Sequence, residues 1–195
     1  MVMNYLTDAP GFHTVLDFWF GAPGGVDYGK SRTPWFKKSD AFDAAIRERF
    51  SGVYRDACEH RLAHWRESPL SLLALIVVCD QFPRNMYRDS REAFASDRLA
   101  RDAARRMVDQ GWDERLNAVQ RGFVYLPFEH AEDLEAQRLA VACFRRLSNA
   151  GLLEWAQKHY DIIERFGRFP HRNTVLGRAS TPEEAEFLKQ PGSRF

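Results

Sequence analysis

The sequence holds little that would tie the protein to a metal, a membrane or an oxidising compartment. Only three of the 195 residues are cysteines, Cys58, Cys79 and Cys143, and their spacing matches no metal or redox motif. Scattered cysteines in odd number are typical of reduced thiols, so we expect a cytoplasmic protein. The N-terminal segment MVMNYLTDAP has no basic stretch before an apolar run and predicts no signal peptide. The longest apolar run, Leu72–Cys79, is far shorter than the roughly 20 residues of a membrane helix, so no membrane partner is expected.

Charge excess and glycine-rich binding motifs are absent as well. The 28 lysines and arginines nearly balance the 27 acidic residues, for a net charge of +1. Such a balance gives no global attraction to nucleic acid or to an anionic membrane. The sequence lacks a nucleophile elbow, a Walker loop and a dinucleotide-binding glycine pattern. We therefore predict no cofactor and no bound metal.

Strand patterns are also missing, because no segment alternates apolar and polar residues for long. Apolar residues instead recur at helical spacing in several segments, among them Phe42–Ala57 and Ala136–Leu147. The segment LSLLALIVVC is apolar on every side, which predicts a helix buried in the middle of the domain. Ser96 or Asp97 is expected to cap a further helix, and Pro127 to interrupt the one that contains it. The prediction is an all-α fold of antiparallel helical hairpins, a single compact domain over residues 1–195.

Near the C-terminus, the helical spacing bears on one candidate residue. His159 shares a predicted apolar face with Trp155, Ile163 and Phe166, so it should point inward. A histidine on an apolar face is more often a core residue than a catalyst, and both interpretations stay open. A capping box at Thr181 begins a last short helix.

The stretch Arg165–Asn173, RFGRFPHRN, concentrates hydrogen-bond donors and aromatic rings. Arg165–Arg178 holds four arginines and no acid, whereas Pro127–Glu135 holds four acids and no lysine or arginine. The first interpretation is a structural ion-pair network, because the planar guanidinium binds carboxylates bidentately. The second is a pocket in which surplus arginines hold an anionic ligand. Single-stranded nucleic acid is disfavoured by the acids expected beside the loop.

Three motifs resemble those of an uncharacterised bacterial family, the domain of unknown function 924. They are LIVVCDQFPRNMYR, YLPFEHAEDLEAQ and HYDIIERFGRFPHRNTVLGRASTPEEAEFL, and the resemblance runs from about Val15 to Phe195. It implies an all-helical architecture similar to tetratricopeptide-repeat proteins, and it implies no activity. The motif positions are Asp80, Gln81, Arg84, Asn85, His130, Glu132, His159, Arg168, His171, Arg172 and Asn173. In this family's pattern the residue before His130 is often not acidic, so Glu129 is the weaker candidate.

Two functional classes follow from these residues. The first is a small-molecule site, anion-binding or hydrolytic, where helix ends meet. Its catalytic candidates are His130, Glu132, His159 and His171, and its ligand-binding candidates are Asp80, Arg84, Asn85, Arg168, Arg172 and Asn173. We expect the two Phe-Pro loops, Pro83–Asn85 and Phe169–Asn173, to meet near His130 and Glu132. Arg168 should lie in a structural pair, and His171 and Arg172 should face a pocket. The alternative is a scaffold that binds a peptide or protein, with structural polar motifs.

Overall fold

A computed structural model describes residues 10–194, and these residues are helical and contain no strand. The nine α-helices of this part of the chain are α1 (Phe12–Phe20), α2 (Asp40–Cys58), α3 (Pro69–Asp80), α4 (Phe82–Met86), α5 (Asp97–Asp109), α6 (Ala118–Glu129), α7 (Leu134–Arg146), α8 (Ala150–Phe166) and α9 (Pro182–Phe187). The all-α prediction is confirmed. No helix among these residues is long and apolar enough to cross a membrane.

Helix α3 lies at the centre, as its uniformly apolar sequence predicts. It begins with Pro69 at the first position, where a missing N–H costs nothing, and the Ser68 side chain accepts a hydrogen bond from the backbone of Ser71. Residues Leu72–Cys79 are at most 6 % exposed. The helix packs against α1, α2, α5 and α6, so its polar last residue, Asp80, is buried as well.

The start of α5 differs from the predicted cap. Ser96 precedes the helix but makes no capping hydrogen bond with its side chain. Its hydroxyl instead donates to the carbonyl oxygen of Cys79 at 2.6 Å, which ties the start of α5 to the end of α3. Asp97, the first residue of α5, is thereby brought beside α4.

Helices α6, α7 and α8 form consecutive hairpins, α7 packing against both neighbours. The expectation that Pro127 interrupts α6 is wrong, because the helix continues to Glu129. Pro127 has no backbone N–H to donate, so α6 lacks one hydrogen bond there, and two more helical residues follow. Asp133 then caps α7 by accepting the backbone N–H of Ala136 at 2.7 Å.

Helix α8 carries His159 inward, and the histidine is 6 % exposed. Trp155, on the same predicted apolar face, is 48 % exposed because the N-terminal half of α8 is less covered than its C-terminal half. The helix ends at Gly167, whose φ of 69° lies in the left-handed region that glycine favours. A 3₁₀ turn, Pro170–Arg172, follows. The capping box of Thr181 and Glu184 then begins α9, as predicted.

Candidate functional site

The ends of α3 and α6, helix α4, the start of α5 and the loop after α8 meet in one buried region. Charged and imidazole side chains from these elements gather there, together with His159 from the middle of α8. We call this set the polar cluster: Asp80, Arg84, Asp97, Glu129, His130, His159 and Arg172.

Asp80 and His130 form a hydrogen-bonded pair inside the polar cluster. Nδ1 of His130 lies 2.8 Å from Oδ1 of Asp80, a carboxyl that is 1 % exposed. Burial alone would raise the pKa of Asp80, but the charges of His130 and Arg84 and hydrogen bonds from His130 and Gln81 bring it to about 2. Burial lowers the pKa of His130, and the Asp80 charge opposes this only in part. An ionised Asp80 accepts the Nδ1 proton, so Nε2 is the basic nitrogen of His130.

Arg84 and Arg172 share one carboxylate, that of Asp97. Arg84 binds it bidentately, with Nη1 and Nη2 at 2.8 and 3.1 Å from the two oxygens. Arg172 approaches the same group only to 3.8 Å, and its Nη1 donates to the backbone oxygen of His130 at 3.0 Å. The Cζ atom of Arg172 also lies 4.6 Å and 4.5 Å from the ring centroids of Phe94 and Phe169. Arg84 therefore holds Asp97 more closely.

Arg172 is buried, but not all of its guanidinium N–H groups have a hydrogen-bond partner among residues 10–194. The residue is 7 % exposed, and its Nε atom is buried without a hydrogen-bond partner among residues 10–194. Burial, together with the charge of Arg84, lowers the pKa of Arg172 to about 10. A cation buried in this way is incompletely compensated by the described protein groups.

Glu129 and His159 are a second acid and base in contact. Nδ1 of His159 lies 3.4 Å from Oε1 of Glu129 and 2.9 Å from the carbonyl oxygen of Trp155. Because that carbonyl can only accept, Nδ1 carries the proton. Burial raises the pKa of Glu129 to about 8, assisted by the charge of Asp80. Burial also lowers the pKa of His159 to about 3, so both side chains are neutral near pH 7.

The remaining arginines of the last loop enter a separate network. We call it the C-terminal clasp: Glu132, Arg168, Asn173, Arg178 and Glu184. Arg168 binds Glu184 with Nε and Nη2 at 2.6 and 2.8 Å. Arg178 binds Glu132 with Nη1 and Nη2 at 2.6 and 2.8 Å. Asn173 joins the two pairs, donating to Glu184 at 3.2 Å and accepting from Nε of Arg178 at 3.0 Å.

In the C-terminal clasp, both carboxylates are paired with an arginine through both of their oxygens. The hydrogen bonds from Arg168 lower the pKa of Glu184 to about 2. Burial works to raise the pKa of Glu132, but Arg178 and the backbone N–H of Phe169, 2.8 Å away, lower it overall. Both carboxylates are held in the ionised form by partners already in place.

The comparison with protein families bears on these same residues. The family model described as a bacterial protein of unknown function, DUF924, matches residues 15–192. The chain belongs to the DUF924 family. The match confirms the resemblance that the three motifs indicate.

One solved structure is similar to this DUF924 member over nearly its whole length. It is a protein of unknown function from Agrobacterium tumefaciens with 40 % sequence identity and a TM-score of 0.83. The similarity covers 92 % of this chain and 97 % of that chain. None of the curated proteins matches the sequence.

Convergence of the two Phe-Pro loops is as the sequence predicts. Arg84 and Arg172, one from each loop, lie at the same Asp97 carboxylate, and Arg172 bonds the His130 backbone. The backbone of Phe169, in the second loop, bonds Glu132.

The predicted site residues nevertheless divide into groups with different partners. Asp80, Arg84, His130, His159 and Arg172 lie in the polar cluster. Glu132, Arg168 and Asn173 lie in the C-terminal clasp. The amide nitrogen of Asn85 donates to Asp43 at 2.8 Å, and Arg88 binds the same carboxylate, so Asn85 contacts α2. The ring of His171 lies 5.6 Å from that of Phe169, and burial followed by the charge of Arg172 lowers its pKa to about 4.

Three residues of this region are not predicted by the sequence, or are only weakly indicated by it. Glu129 is the partner of His159, although the family pattern made it the weaker candidate. The sequence indicates Asp97 only as a helix cap, and no sequence pattern places Phe94 near the site. The closeness of Asp97 to the DQFPRN loop in the sequence is the signal that favours it, whereas the position of Phe94 depends on tertiary structure.

In the described part of the chain, neither a possible metal site nor a surface concavity extends the polar cluster. Within residues 10–194 no group of three His, Cys, Asp or Glu side chains is arranged to hold a metal ion. Two surface concavities of about 180 and 220 Å³ are lined by other residues, the first between α7 and α8 and the second beside the end of α2. The polar cluster meets solvent at the partly exposed side chains of His130, Arg84 and Asp97, 16 %, 19 % and 24 % exposed.

Proposed function

We propose that the polar cluster is a binding site for a small anionic molecule, with Arg172 as its principal contact. The observation that carries the proposal is the buried Nε of Arg172, which has no hydrogen-bond partner among residues 10–194. Buried polar groups in folded proteins are nearly always paired, and a group left unpaired is a candidate for ligand contact. Arg84 would assist because it lies at the same carboxylate.

The charge arrangement supports an anion in particular. Asp97 compensates Arg84 closely, at 2.8 Å, and is shared with Arg172 only at 3.8 Å. An isolated buried cation is costly, and an added anion would offset that cost. The depressed pKa of Arg172, about 10, has the same origin. A guanidinium placed only for stability would instead have a carboxylate of its own, as Arg168 and Arg178 do.

The proposed site is therefore smaller than the one that the sequence suggests. Glu132, Arg168 and Asn173 have their hydrogen-bonding atoms engaged within the C-terminal clasp. Asn85 is engaged with Asp43. We assign these four residues to structural support of the loops and leave ligand contact to the polar cluster.

A hydrolytic role is the second candidate, favoured by the Asp80–His130 pair. An ionised carboxylate on Nδ1 orients the imidazole and leaves Nε2 as a general base. No hydrogen bond from the described part of the chain reaches Nε2, and the side chain is 16 % exposed. In this proposal Nε2 takes a proton from water while the water oxygen attacks a carbonyl carbon of the bound ligand. The same proton then passes to the leaving group as its bond to that carbon breaks.

A thermal-shift panel of anionic metabolites at constant ionic strength tests the binding proposal. A ligand at about 100 times its dissociation constant should stabilise the protein by roughly 2.7 kcal/mol. That gain corresponds to a rise in melting temperature of roughly 5–10 °C for a chain of this size. Arg172→Lys should abolish the rise, because lysine lacks the planar guanidinium. Arg165→Lys is the matched control, since Arg165 pairs with Glu183 on the surface.

The proposal is wrong if no anion raises the melting temperature, or if the rise survives Arg172→Lys. A peptide-binding scaffold predicts the first of these results. For the hydrolytic candidate, any turnover of a stabilising ligand should disappear in His130→Gln while the thermal shift remains. Undiminished turnover in that variant would exclude His130 as the base.

A further inference from the structure

We infer that the anion is a monocarboxylate, bound side-on by the Nε and Nη2 groups of Arg172. The inference rests on the proposed anion site and names the chemical class of its ligand. It comes from three features of the molecule: the edge of the guanidinium that has no hydrogen-bond partner, the way other arginines use that edge, and the charge already present.

The unpaired edge of the Arg172 guanidinium is defined by the contacts that the other parts of the group make. Nη1 is the nitrogen that donates to the His130 carbonyl, at 3.0 Å. The rings of Phe94 and Phe169 stack against the guanidinium, which leaves its in-plane edges for polar contact. Within residues 10–194, neither Nε nor Nη2 of Arg172 makes a hydrogen bond. These two nitrogens point their N–H bonds to the same side of the group and form its side-on edge.

Two other arginines show what this edge binds in the same protein. Arg88 donates from Nε and Nη2 to the two carboxylate oxygens of Asp43. Arg168 donates from the same two nitrogens to the two oxygens of Glu184, at 2.6 and 2.8 Å. Parallel N–H groups match the spacing and plane of a carboxylate. On Arg172 the same edge is buried and unpaired, and no carboxylate of the described chain lies upon it.

The charge of the polar cluster favours one negative charge over two. Glu129 and His159 are neutral near pH 7, and Arg172 has no close carboxylate, since that of Asp97 lies 3.8 Å away and is held by Arg84. One carboxylate matches the single charge of Arg172, whereas a phosphate dianion leaves one negative charge without a partner. Because uncompensated buried charge is costly, the monoanion is preferred. The flanking phenylalanine rings further suit an organic acid more than an inorganic ion.

The side-chain Nε–H resonances of the arginines, recorded by NMR on protein with ¹⁵N-labelled arginine, test the inference directly. The resonance of Arg172 is assigned by its loss in Arg172→Lys, and independently in Arg172→Gln in case one variant folds poorly. Acetate and inorganic phosphate are the probes, each titrated at equal ionic strength and about pH 7.5, where phosphate is mostly dianionic. We expect acetate to shift the Arg172 resonance along a saturating curve and to leave that of Arg168 in place. Phosphate should cause a much smaller shift.

Each of the other outcomes contradicts the carboxylate inference. If phosphate shifts the Arg172 resonance more than acetate does, the carboxylate inference is wrong and the anion site stands. If acetate moves all arginine resonances alike, its effect is non-specific and the inference is wrong. If neither probe moves the Arg172 resonance at any concentration, the carboxylate inference fails. The metabolite panel then decides separately whether the site binds another anion.

Discussion

Glu129 and His159 lie in contact, yet each is neutral near pH 7 instead of forming an ion pair. The cause is burial, which raises the pKa of the acid to about 8 and lowers that of the base to about 3. A protonated Glu129 can donate a hydrogen bond, and a neutral His159 can accept one at Nε2. The polar cluster therefore contains a proton donor and a proton acceptor, in addition to its two buried arginines.

Glu129→Gln should change the pH dependence of stability. The pKa of Glu129 rises from an ordinary 4.5 to about 8 on folding, so its folded form holds a proton that the unfolded form has lost. Stability linked to this group is present below the unfolded pKa and falls as pH rises toward 8. Below about pH 6.5 the buried histidines have the opposite effect on stability, because they bind protons only in the unfolded chain. Above that pH the histidines are neutral in both states, so the fall in stability caused by Glu129 can be measured alone. We expect a loss of up to roughly 2 kcal/mol between about pH 6.5 and 8, and its absence in Glu129→Gln.

Urea denaturation at several pH values measures this slope. Glu183→Gln is the control, because Glu183 lies in an exposed pair with Arg165. If Glu129→Gln keeps the slope of the unmodified protein, the carboxyl does not hold a proton near neutral pH.

At the scale of the helices, local signals fix most boundaries. Ser39, Ser68, Asn117, Asp133, Asn149 and Thr181 each cap a helix through the side chain. Gly167 ends α8 in the left-handed conformation, at the point where the chain turns toward Arg172. A β-carbon at Gly167 would meet no atom within 4 Å, so only backbone conformation favours glycine there.

Two glycine substitutions should therefore act in opposite directions. Gly167→Ala places a side chain at a φ of 69° and should cost roughly 1–2 kcal/mol, or roughly 2–8 °C in melting temperature. Gly52→Ala lies inside α2, where a β-carbon also meets no atom within 4 Å. It should stabilise the protein by roughly 0.5–1 kcal/mol, since alanine has the higher helix propensity. Thermal melts of both variants check the signs, and equal effects would contradict the stated role of Gly167.

The sequence predicts elements better than it predicts their burial. Caps and apolar periodicity are local, so α3, α7 and α8 follow from the residues alone. Periodicity placed Trp155 and His159 on one face, but it could not show that α8 is covered less at Trp155. Pro127 removes one hydrogen bond of α6, yet the helix continues to Glu129, an outcome that the proline alone does not predict.

The candidate site was predictable only in part, for the same physical reason. Four arginines without local acids require carboxylates from elsewhere, which correctly brings the last loop to the acidic start of α7. Which arginine receives which carboxylate depends on distances between elements that are far apart in sequence. Hence Arg168 and Arg172, four residues apart, differ in their partners, and the role of Asp97 could not be foreseen.

At the scale of the whole molecule, the buried titratable groups predict the course of acid unfolding. Folded His159 and His171, with pKa values of about 3 and 4, resist protonation that the unfolded histidines accept near 6.5. Asp80 and Glu184, both at about 2, are ionised in the folded state and take up protons near 3.8 and 4.5 when unfolded. Stability from all four groups is thus lost as pH falls, from about 6.5 for the histidines and from about 4.5 for the carboxyls.

The expected result is a stability maximum close to about pH 6.5, with the steepest loss below about pH 4.5. Circular dichroism melts across the pH range measure the profile. Glu184→Gln should lower stability at neutral pH and flatten the loss below about pH 4.5. A profile whose acid limb is unchanged in this variant would contradict the assignment of Glu184 to the C-terminal clasp.

The molecule as a whole uses its arginines in two ways, and this difference is the central claim. In the C-terminal clasp, Arg168 and Arg178 are each matched to a carboxylate. In the polar cluster, Arg172 is buried and its Nε has no hydrogen-bond partner among residues 10–194, and we propose that a ligand completes its contacts. The two kinds of arginine should respond differently to the same conservative substitution.

Melting temperatures of Arg168→Lys and Arg172→Lys, with and without a stabilising anion, test this claim most directly. Lysine cannot reproduce the bidentate bond of Arg168 to Glu184, so Arg168→Lys should melt several degrees lower and keep the anion-induced rise. Arg172→Lys should melt near the unmodified protein, because its ammonium can still reach the His130 carbonyl, and should lose the rise. If Arg172→Lys instead melts as low as Arg168→Lys and still responds to the anion, Arg172 is a structural residue and the proposed site is wrong.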